Sequence, residues 1–208
     1  MKDKKPLEER AFLCEVRAEQ GDEGSVITGR PIVYNSRTDL GWFDEIIESG
    51  ALERTDLRDV RFLVNHDFSK LPLARSRRNN GNSTMLLSVD EEGMTIKAEI
   101  DTENNPEAKA LWSAVSRGDI TGMSFCFSVN GEEWDDLESD HPTRRIKEIG
   151  TVVEVSAVTF PAYEATSIQA RNKEALDNAR SALEKARKEA VETELELLKE
   201  KTRILGGL

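Results

Sequence analysis

Alternating apolar and polar positions recur through the first 160 or so residues of the chain and predict a domain built mainly of β-strands. Residues 11–18 alternate in this way, and residues 25–34 do so again with interruptions at Gly29 and Pro31. A proline inside a strand pattern is typical of an edge strand or a bulge. Further strands are predicted at residues 60–67, 85–89, 94–100, 124–129 and 145–160.

Two stretches have helical periodicity instead. Residues 106–117 open with a proline, whose missing N–H costs little at a helix start, and they end before a glycine. Residues 172–203 contain no glycine or proline. Apolar residues recur there every seven positions, namely Leu176, Leu183, Ala190, Leu197 and Ile204. Such a narrow seam predicts a long helix that docks on a partner helix or forms a coiled coil, and a solvated tail helix is the alternative.

This change in composition and periodicity predicts a division into a β-rich domain, residues 1–170, and a helical tail, residues 171–208. Of the 208 residues, 33% are charged and the net charge is −11. Since phosphate binding needs clustered Lys and Arg, the charge argues against nucleic acid and anionic membranes as partners. The sequence has no apolar run near 18 residues and no basic leader, so we expect neither a membrane span nor a signal peptide.

Metal and cofactor chemistry is not indicated by the sequence. Cys14 and Cys126 lie far apart and outside any Cys/His cluster, so we expect reduced thiols and no structural metal. The chain has only two histidines, which leaves too few ligands for a metal-dependent hydrolase. We therefore expect no cofactor and no metal ion.

One serine and one histidine are candidates for nucleophilic chemistry. Ser124 follows Gly118 and Gly122 and opens an apolar run, so it is either a small residue tolerated beside a turn or a nucleophile. His66 ends a hydrophobic strand, and histidine is the usual base for activating a serine hydroxyl. An imidazole that only bonds its own loop is the alternative. His141 lies in an acidic loop, where we expect exposure to solvent.

A carboxylate inside an apolar strand is the third candidate. Glu154 interrupts the run 153–158, where burial without a partner would be costly, so it is either solvent-facing or paired. Glu148, six residues earlier, shares its strand parity only if no bulge intervenes at Gly150. A catalytic triad consists of a serine, a base that activates it and an acid that orients the base, and it is recognised by these roles and by geometry.

Six short stretches together carry a resemblance to a known family. They are residues 34–36 (YNS), 43–51 (FDEIIESGA), 64–67 (VNHD), 117–125 (RGDITGMSF), 154–156 (EVS) and 159–163 (TFPAY). In this order, over about residues 11–170, they make the chain similar to the prohead maturation proteases of tailed bacteriophages.

The resemblance implies a fold like that of herpesvirus assemblin. The expected fold class is a β-rich α+β domain, a small closed β-barrel ringed by short helices, followed here by the long C-terminal α-helix. The resemblance further implies that Ser124 is the nucleophile, His66 the general base and Glu154 the third member, where assemblins carry a second histidine. Glu148 stays open as the alternative acid.

The chain departs from the family pattern near the site. Residues 73–75 read Leu-Ala-Arg where many relatives have Leu-Gly-Arg, and the arginine-bearing loop of assemblin has no match. The oxyanion hole is therefore not assigned to named residues; backbone N–H groups near a glycine turn are the general expectation.

The function implied by the resemblance is that of a serine endopeptidase of capsid maturation. It would cleave the scaffolding segment of the major capsid protein, and itself, inside the immature capsid in the host cytoplasm. We expect self-cleavage near residues 169–173 and leave open whether the chain forms a homo-oligomer. A non-enzymatic capsid assembly scaffold with a coiled-coil tail is the alternative, because the long helix alone fits both.

Overall fold

The computed structural model describes residues 6–21, 24–159 and 166–205. Within these ranges the chain forms eleven strands and two helices. The strands are β1 (Glu8–Leu13), β2 (Arg17–Gly21), β3 (Gly24–Val33), β4 (Arg37–Asp39), β5 (Asp44–Ile47), β6 (Asp59–Val64), β7 (Ala74–Arg77), β8 (Met85–Asp90), β9 (Gly93–Ile100), β10 (Gly122–Asp135) and β11 (Thr143–Val158). The helices are α1 (Pro106–Ser116) and α2 (Thr166–Leu205). The predicted β-rich fold with a long C-terminal helix is confirmed.

Two sheets contain all of these strands. The smaller sheet has the order β2-β3-β9-β8. The larger sheet has the order β1-β10-β11-β5-β4, with β6 also paired to β11 and β7 paired to β6. The 16-residue β11 is long enough to hold two parallel neighbours along one edge, β5 beside its first residues and β6 beside residues 154–157. The larger sheet therefore branches at β11.

The closed barrel predicted from the resemblance is not confirmed. Among the described residues neither sheet closes on itself. In the larger sheet, one edge of β11 is paired with β5 along its first part and with β6 along its last part, so no single strand continues the sheet there. The predicted ring of short helices is reduced, in the same residues, to the single short helix α1. The barrel stays a prediction.

The hydrophobic core lies where the two sheets share their apolar faces. Met123, Phe125 and Phe127 of β10 are fully buried in it and belong to the same cluster as Ile27 and Ile96 of the smaller sheet. Burial of each such side chain contributes roughly 1.5–3 kcal/mol. Because side chains alternate along a strand, the even-numbered residues at the start of β10 point to the opposite face. That face carries the site described below.

Several local predictions are confirmed and two are wrong. The helix at residues 106–117 and the hairpin of β8 and β9 are present, and Asn105 caps α1 by accepting hydrogen bonds from the first-turn N–H groups of Glu107 and Ala108. Residues 11–18 do not form one strand, since β1 ends at Leu13 and β2 begins at Arg17. The first strand also begins three residues earlier than predicted, because β1 starts at Glu8.

Among the side chains that the structure describes, those of helix α2 that contact the β-domain lie between residues 172 and 187. Asn172 and Leu176 are buried, and Arg180 donates hydrogen bonds to the backbone carbonyl oxygens of Leu137 and Ser139. Side chains from residue 184 to residue 201 are all exposed. The helix therefore begins by packing on its own domain, which neither the predicted docking on a partner helix nor the solvated tail includes. In the described part of the chain, neither helix is both long enough and apolar enough to cross a membrane.

Candidate active site

Strand pairing brings a serine and a glutamate onto one face of the larger sheet. β10 and β11 are antiparallel, with Ser124 opposite Ser156 and Cys126 opposite Glu154. Residues two apart on a strand, and residues directly opposite each other on paired strands, share a face of the sheet. Ser124, Glu154 and Ser156 consequently lie together, on the face opposite to the core residues of β10.

The histidine reaches this face from the end of β6. Leu63 of β6 is paired with Ser156, and the chain turns sharply after Val64, where Asn65 and His66 have φ values of 51° and 55°. Left-handed backbone is uncommon for residues other than glycine, although Asn and His adopt it more readily than most. The side chain of Asn65 holds the turn by accepting a hydrogen bond from the Thr159 N–H at 2.9 Å.

The three predicted site residues form a continuous chain of hydrogen-bond contacts. The Nε2 atom of His66 lies 2.5 Å from the Ser124 hydroxyl oxygen, and its Nδ1 atom lies 2.5 Å from Oε1 of Glu154. Ser124 is 1% exposed and Glu154 is 0% exposed, while the His66 side chain is 18% exposed. With the proton on Nδ1, the imidazole donates to the carboxylate and its Nε2 is free to accept the hydroxyl proton. The arrangement can therefore activate Ser124 as a nucleophile.

The hydroxyl of Ser124 has a second acceptor. Its oxygen also lies 2.8 Å from the backbone carbonyl oxygen of Arg10, on the neighbouring strand β1. A hydroxyl has one proton to donate. Attack by Ser124 would require that this proton goes to His66 and not to the carbonyl of Arg10, so the position of β1 bears directly on this candidate nucleophile.

Sequence reasoning missed Ser156. This fully buried residue donates a hydrogen bond from its hydroxyl to Oε2 of Glu154 at 2.6 Å and accepts one from the backbone N–H of His66 at 3.1 Å. The available signal was its position two residues after Glu154 on the same strand, which places both on one face.

A buried charge network, also missed, fixes β1 beside the site. Arg10 donates to both carboxylate oxygens of Glu45, at 2.5 and 2.8 Å, and Arg144 bonds Glu8 at 2.6 Å and Glu45 at 3.1 Å. Arg144 also pairs with Glu132. Burial alone would lower the pKa of Arg10, but the adjacent carboxylates, Glu45 foremost, outweigh it and raise this pKa. Both arginines are therefore charged inside the protein.

The other acidic and histidine candidates lie elsewhere. The β10–β11 pairing is irregular between Glu154 and Glu148, because Val153 and Gly150 are both extra residues on β11. The bulge considered at Gly150 is therefore present, but with a second extra residue the strand parity does not separate the two glutamates. Their contacts separate them. Glu148 is 26% exposed and forms an ion pair with Arg54.

His141 lies at the far end of β11 from Glu154, near Asp44 and Asp39 on β5 and β4. Its Nε2 atom is 3.3 Å from Asp44 and 3.8 Å from Asp39. Among the described residues these three are close enough together to hold a cation, but Asp39 and His141 are exposed, and Asp44 is already paired with Arg37 at 2.6 Å. The group contributes nothing to the site at His66.

The chain belongs to the caudovirus prohead serine protease family, whose sequence model matches residues 13–180. The matched range includes His66, Ser124 and Glu154. Among solved structures, the capsid assembly protease of bacteriophage T4 is similar, with 11% sequence identity over 73% of this chain and 98% of that chain and a TM-score of 0.36. No curated protein sequence matches the chain significantly. The family match alone assigns the chain to the serine proteases of the prohead.

Proposed function

We propose that the chain is a serine endopeptidase in which Ser124 is the nucleophile, His66 the general base and Glu154 the acid that orients the base. The observation that supports this proposal most is the unbroken contact chain from the Ser124 hydroxyl through both nitrogens of His66 to the buried carboxylate of Glu154. A carboxylate buried this deeply needs partners of this kind, because an isolated buried charge is very costly.

The proposed reaction follows from the direction of these hydrogen bonds. His66 Nε2 takes the hydroxyl proton while the oxygen of Ser124 attacks a peptide carbonyl, and the imidazolium then gives that proton to the leaving amine. Water hydrolyses the resulting acyl-enzyme with His66 again as base. Glu154 keeps the Nδ1–H tautomer in place and stabilises the imidazolium.

The proposed substrate is the scaffolding segment of the major capsid protein, together with the protease itself. Family membership supports a role in capsid maturation, and the motifs in residues 34–163 support the finer statement that the chain acts inside the immature capsid. Part of the last motif, residues 160–163, lies outside the described residues.

The test is co-expression with the major capsid protein. We expect wild-type chain to release the scaffolding segment, as seen by intact-mass spectrometry, and Ser124→Ala to leave it attached, because losing a triad nucleophile costs on the order of 10⁶ in rate. Ser76→Ala, which alters another fully buried serine on β7, is the matched control and should process normally. Equal processing by Ser124→Ala would refute the assignment. A folded wild-type chain that assembles capsids without cleaving would favour the non-enzymatic scaffold.

A further inference from the structure

We infer that Ser156 is a positioning residue for the triad, tying the acid to the backbone of the base; the inference rests on the proposed function. Ser156 is fully buried, and its one hydroxyl proton goes to Glu154, so it has none to offer a substrate. Its hydroxyl bridges two groups that are close in space but 88 positions apart in sequence, Glu154 and His66. Through them it acts on the nucleophile without touching it.

The first half of the bridge fixes the carboxylate. The terminal torsion of a glutamate is broad and is not set by rotamer preference. With Oε2 of Glu154 held at 2.6 Å by the Ser156 hydroxyl, Oε1 is directed at Nδ1 of His66, 2.5 Å away. The orientation of the acid is therefore set by a hydrogen bond from the protein, in a place closed to bulk solvent.

The second half fixes the backbone of the base. His66 has a left-handed φ of 55°. A residue with a Cβ atom keeps this backbone conformation only where the surrounding structure holds it. The N–H of His66 points to the Ser156 hydroxyl oxygen at 3.1 Å. This bond helps to keep the imidazole above the face that carries Ser124.

The two bonds are compatible with one hydroxyl group. A backbone N–H can only donate, so the oxygen of Ser156 accepts from His66 and its single proton is left for Glu154. With alanine at position 156, Oε2 of Glu154 would lose the hydrogen bond from the hydroxyl, and the N–H of His66 would lose its hydrogen bond to the hydroxyl oxygen. Catalysis is sensitive to such loosening, since a displacement of about 1 Å can cost about 10²-fold.

Peptide hydrolysis by four variants tests the inference. We expect Ser156→Ala to lower kcat by up to about 10²-fold with KM unchanged. Ser156→Thr and Ser156→Val give side chains of the same branched shape, but only threonine keeps the hydroxyl. The threonine variant should therefore retain clearly more activity than the valine variant. Ser76→Ala is the matched control, because the Ser76 hydroxyl likewise contacts a left-handed residue, Asn79, but away from the triad. Wild-type kcat in Ser156→Ala, or equal kcat in the threonine and valine variants, would overturn the inference.

A double-mutant cycle separates positioning from general stability. If Ser156 acts through the acid, Ser156→Ala should cost a clearly smaller factor once Glu154→Gln has removed the carboxylate, because only the bond to the His66 N–H is then left to lose. A loss of the same factor in both backgrounds would show a merely structural role and overturn the inference. Failure of the proposed function looks different: Ser124→Ala would then be as active as the wild type. An inactive Ser124→Ala beside a fully active Ser156→Ala would refute the positioning role alone.

Discussion

The backbone carbonyl oxygen of Arg10 lies 2.8 Å from the hydroxyl oxygen of Ser124, while the guanidinium of the same arginine is buried against Glu45. One residue of β1 therefore belongs both to the surroundings of the nucleophile and to the buried charge network. Because Ala11 is paired with Ser124 in the sheet, any displacement of β1 changes what the hydroxyl can bond. The stability of the network and the geometry of the site are thus linked.

Removing the charge of Glu45 should destabilise the fold strongly. Glu45 is buried and contacts both Arg10 and Arg144, so Glu45→Gln leaves two buried guanidinium groups short of counter-charge. We expect the free energy of unfolding in urea to fall by about 3–5 kcal/mol. Glu15→Gln, which breaks an exposed pair with Arg17, is the control and should cost less than about 1 kcal/mol. Similar losses in both variants would contradict the role given to the network.

The same network predicts a pH dependence of stability. Burial alone would raise the pKa of Glu8, but hydrogen bonds and charge from Arg144 and Arg10 outweigh it and hold this pKa below its ordinary value of 4.5. Around and below pH 4.5, down to its lowered folded-state pKa, this carboxyl takes up a proton in the unfolded chain but stays ionised in the folded one. A fall in pH through this range therefore favours the unfolded chain. Its contribution is present above pH 4.5 and is lost as the pH falls through the folded-state pKa.

The measurement is the unfolding free energy of wild type and Glu8→Gln in urea at several pH values between 6 and 3. We expect the wild type to lose stability more steeply below pH 4.5 than the variant, since the variant has no proton to take up at this position. Because other carboxyls titrate in both chains, only the difference in slope is informative. Parallel curves would show that Glu8 is not coupled to the arginines.

The identity of the acid can be tested by comparing the two glutamates of β11. We expect Glu154→Gln to lower kcat by about 10⁴, as for an orienting acid in a related triad. Glu148→Gln should leave kcat near the wild-type value, because Glu148 pairs with Arg54 at the surface and does not contact the imidazole. A larger loss in the Glu148 variant, with both proteins folded by circular dichroism, would exchange the two assignments.

The residues of the site were predictable from sequence, but their geometry was only partly so. A strand-end histidine, a serine after a glycine turn and a carboxylate in an apolar strand each carry a local signal. Strand parity could not choose between Glu154 and Glu148, because the extra residues Val153 and Gly150 reflect pairing with β10 and leave no clear mark on β11 itself. The inferred role of Ser156 depends on the left-handed turn at His66. The alternation of apolar and polar residues along the chain does not reveal such a turn.

For the fold, strand and helix positions follow from local periodicity, whereas sheet topology does not. The hairpin of β8 and β9 is set by neighbouring residues, so its turn is visible in the sequence. The branching of the larger sheet depends on β5 and β6 sharing one edge of β11, about 100 positions later in the chain. The charged residues Glu8 and Arg10 resemble a frayed terminus because their partners, Glu45 and Arg144, are remote in sequence.

The last prediction concerns helix α2, whose docked and projecting parts should have different roles. Leu176 is buried on the domain, and Arg187 still reaches Glu138, but beyond it Val191, Leu195 and Leu198 are at least half exposed. A chain that ends at Lys188 keeps every contact described between α2 and the β-domain. We therefore expect it to keep wild-type stability and peptide hydrolysis, while fewer protease copies enter each prohead because the projecting part of the apolar seam, which would bind a partner helix, is gone.

A chain that ends at Arg171 is the contrasting variant. It loses the burial of Leu176 and the hydrogen bonds of Arg180 to the loop before β11, so its free energy of unfolding should fall by at least about 2 kcal/mol. Quantitative mass spectrometry of purified proheads measures packaging, and a soluble peptide substrate measures activity. Normal packaging of the chain that ends at Lys188 would refute a recruiting role for the projecting part. Loss of peptide hydrolysis in that same chain would instead place residues beyond 188 in the catalytic fold, against the exposure of residues 189–201 in the structure.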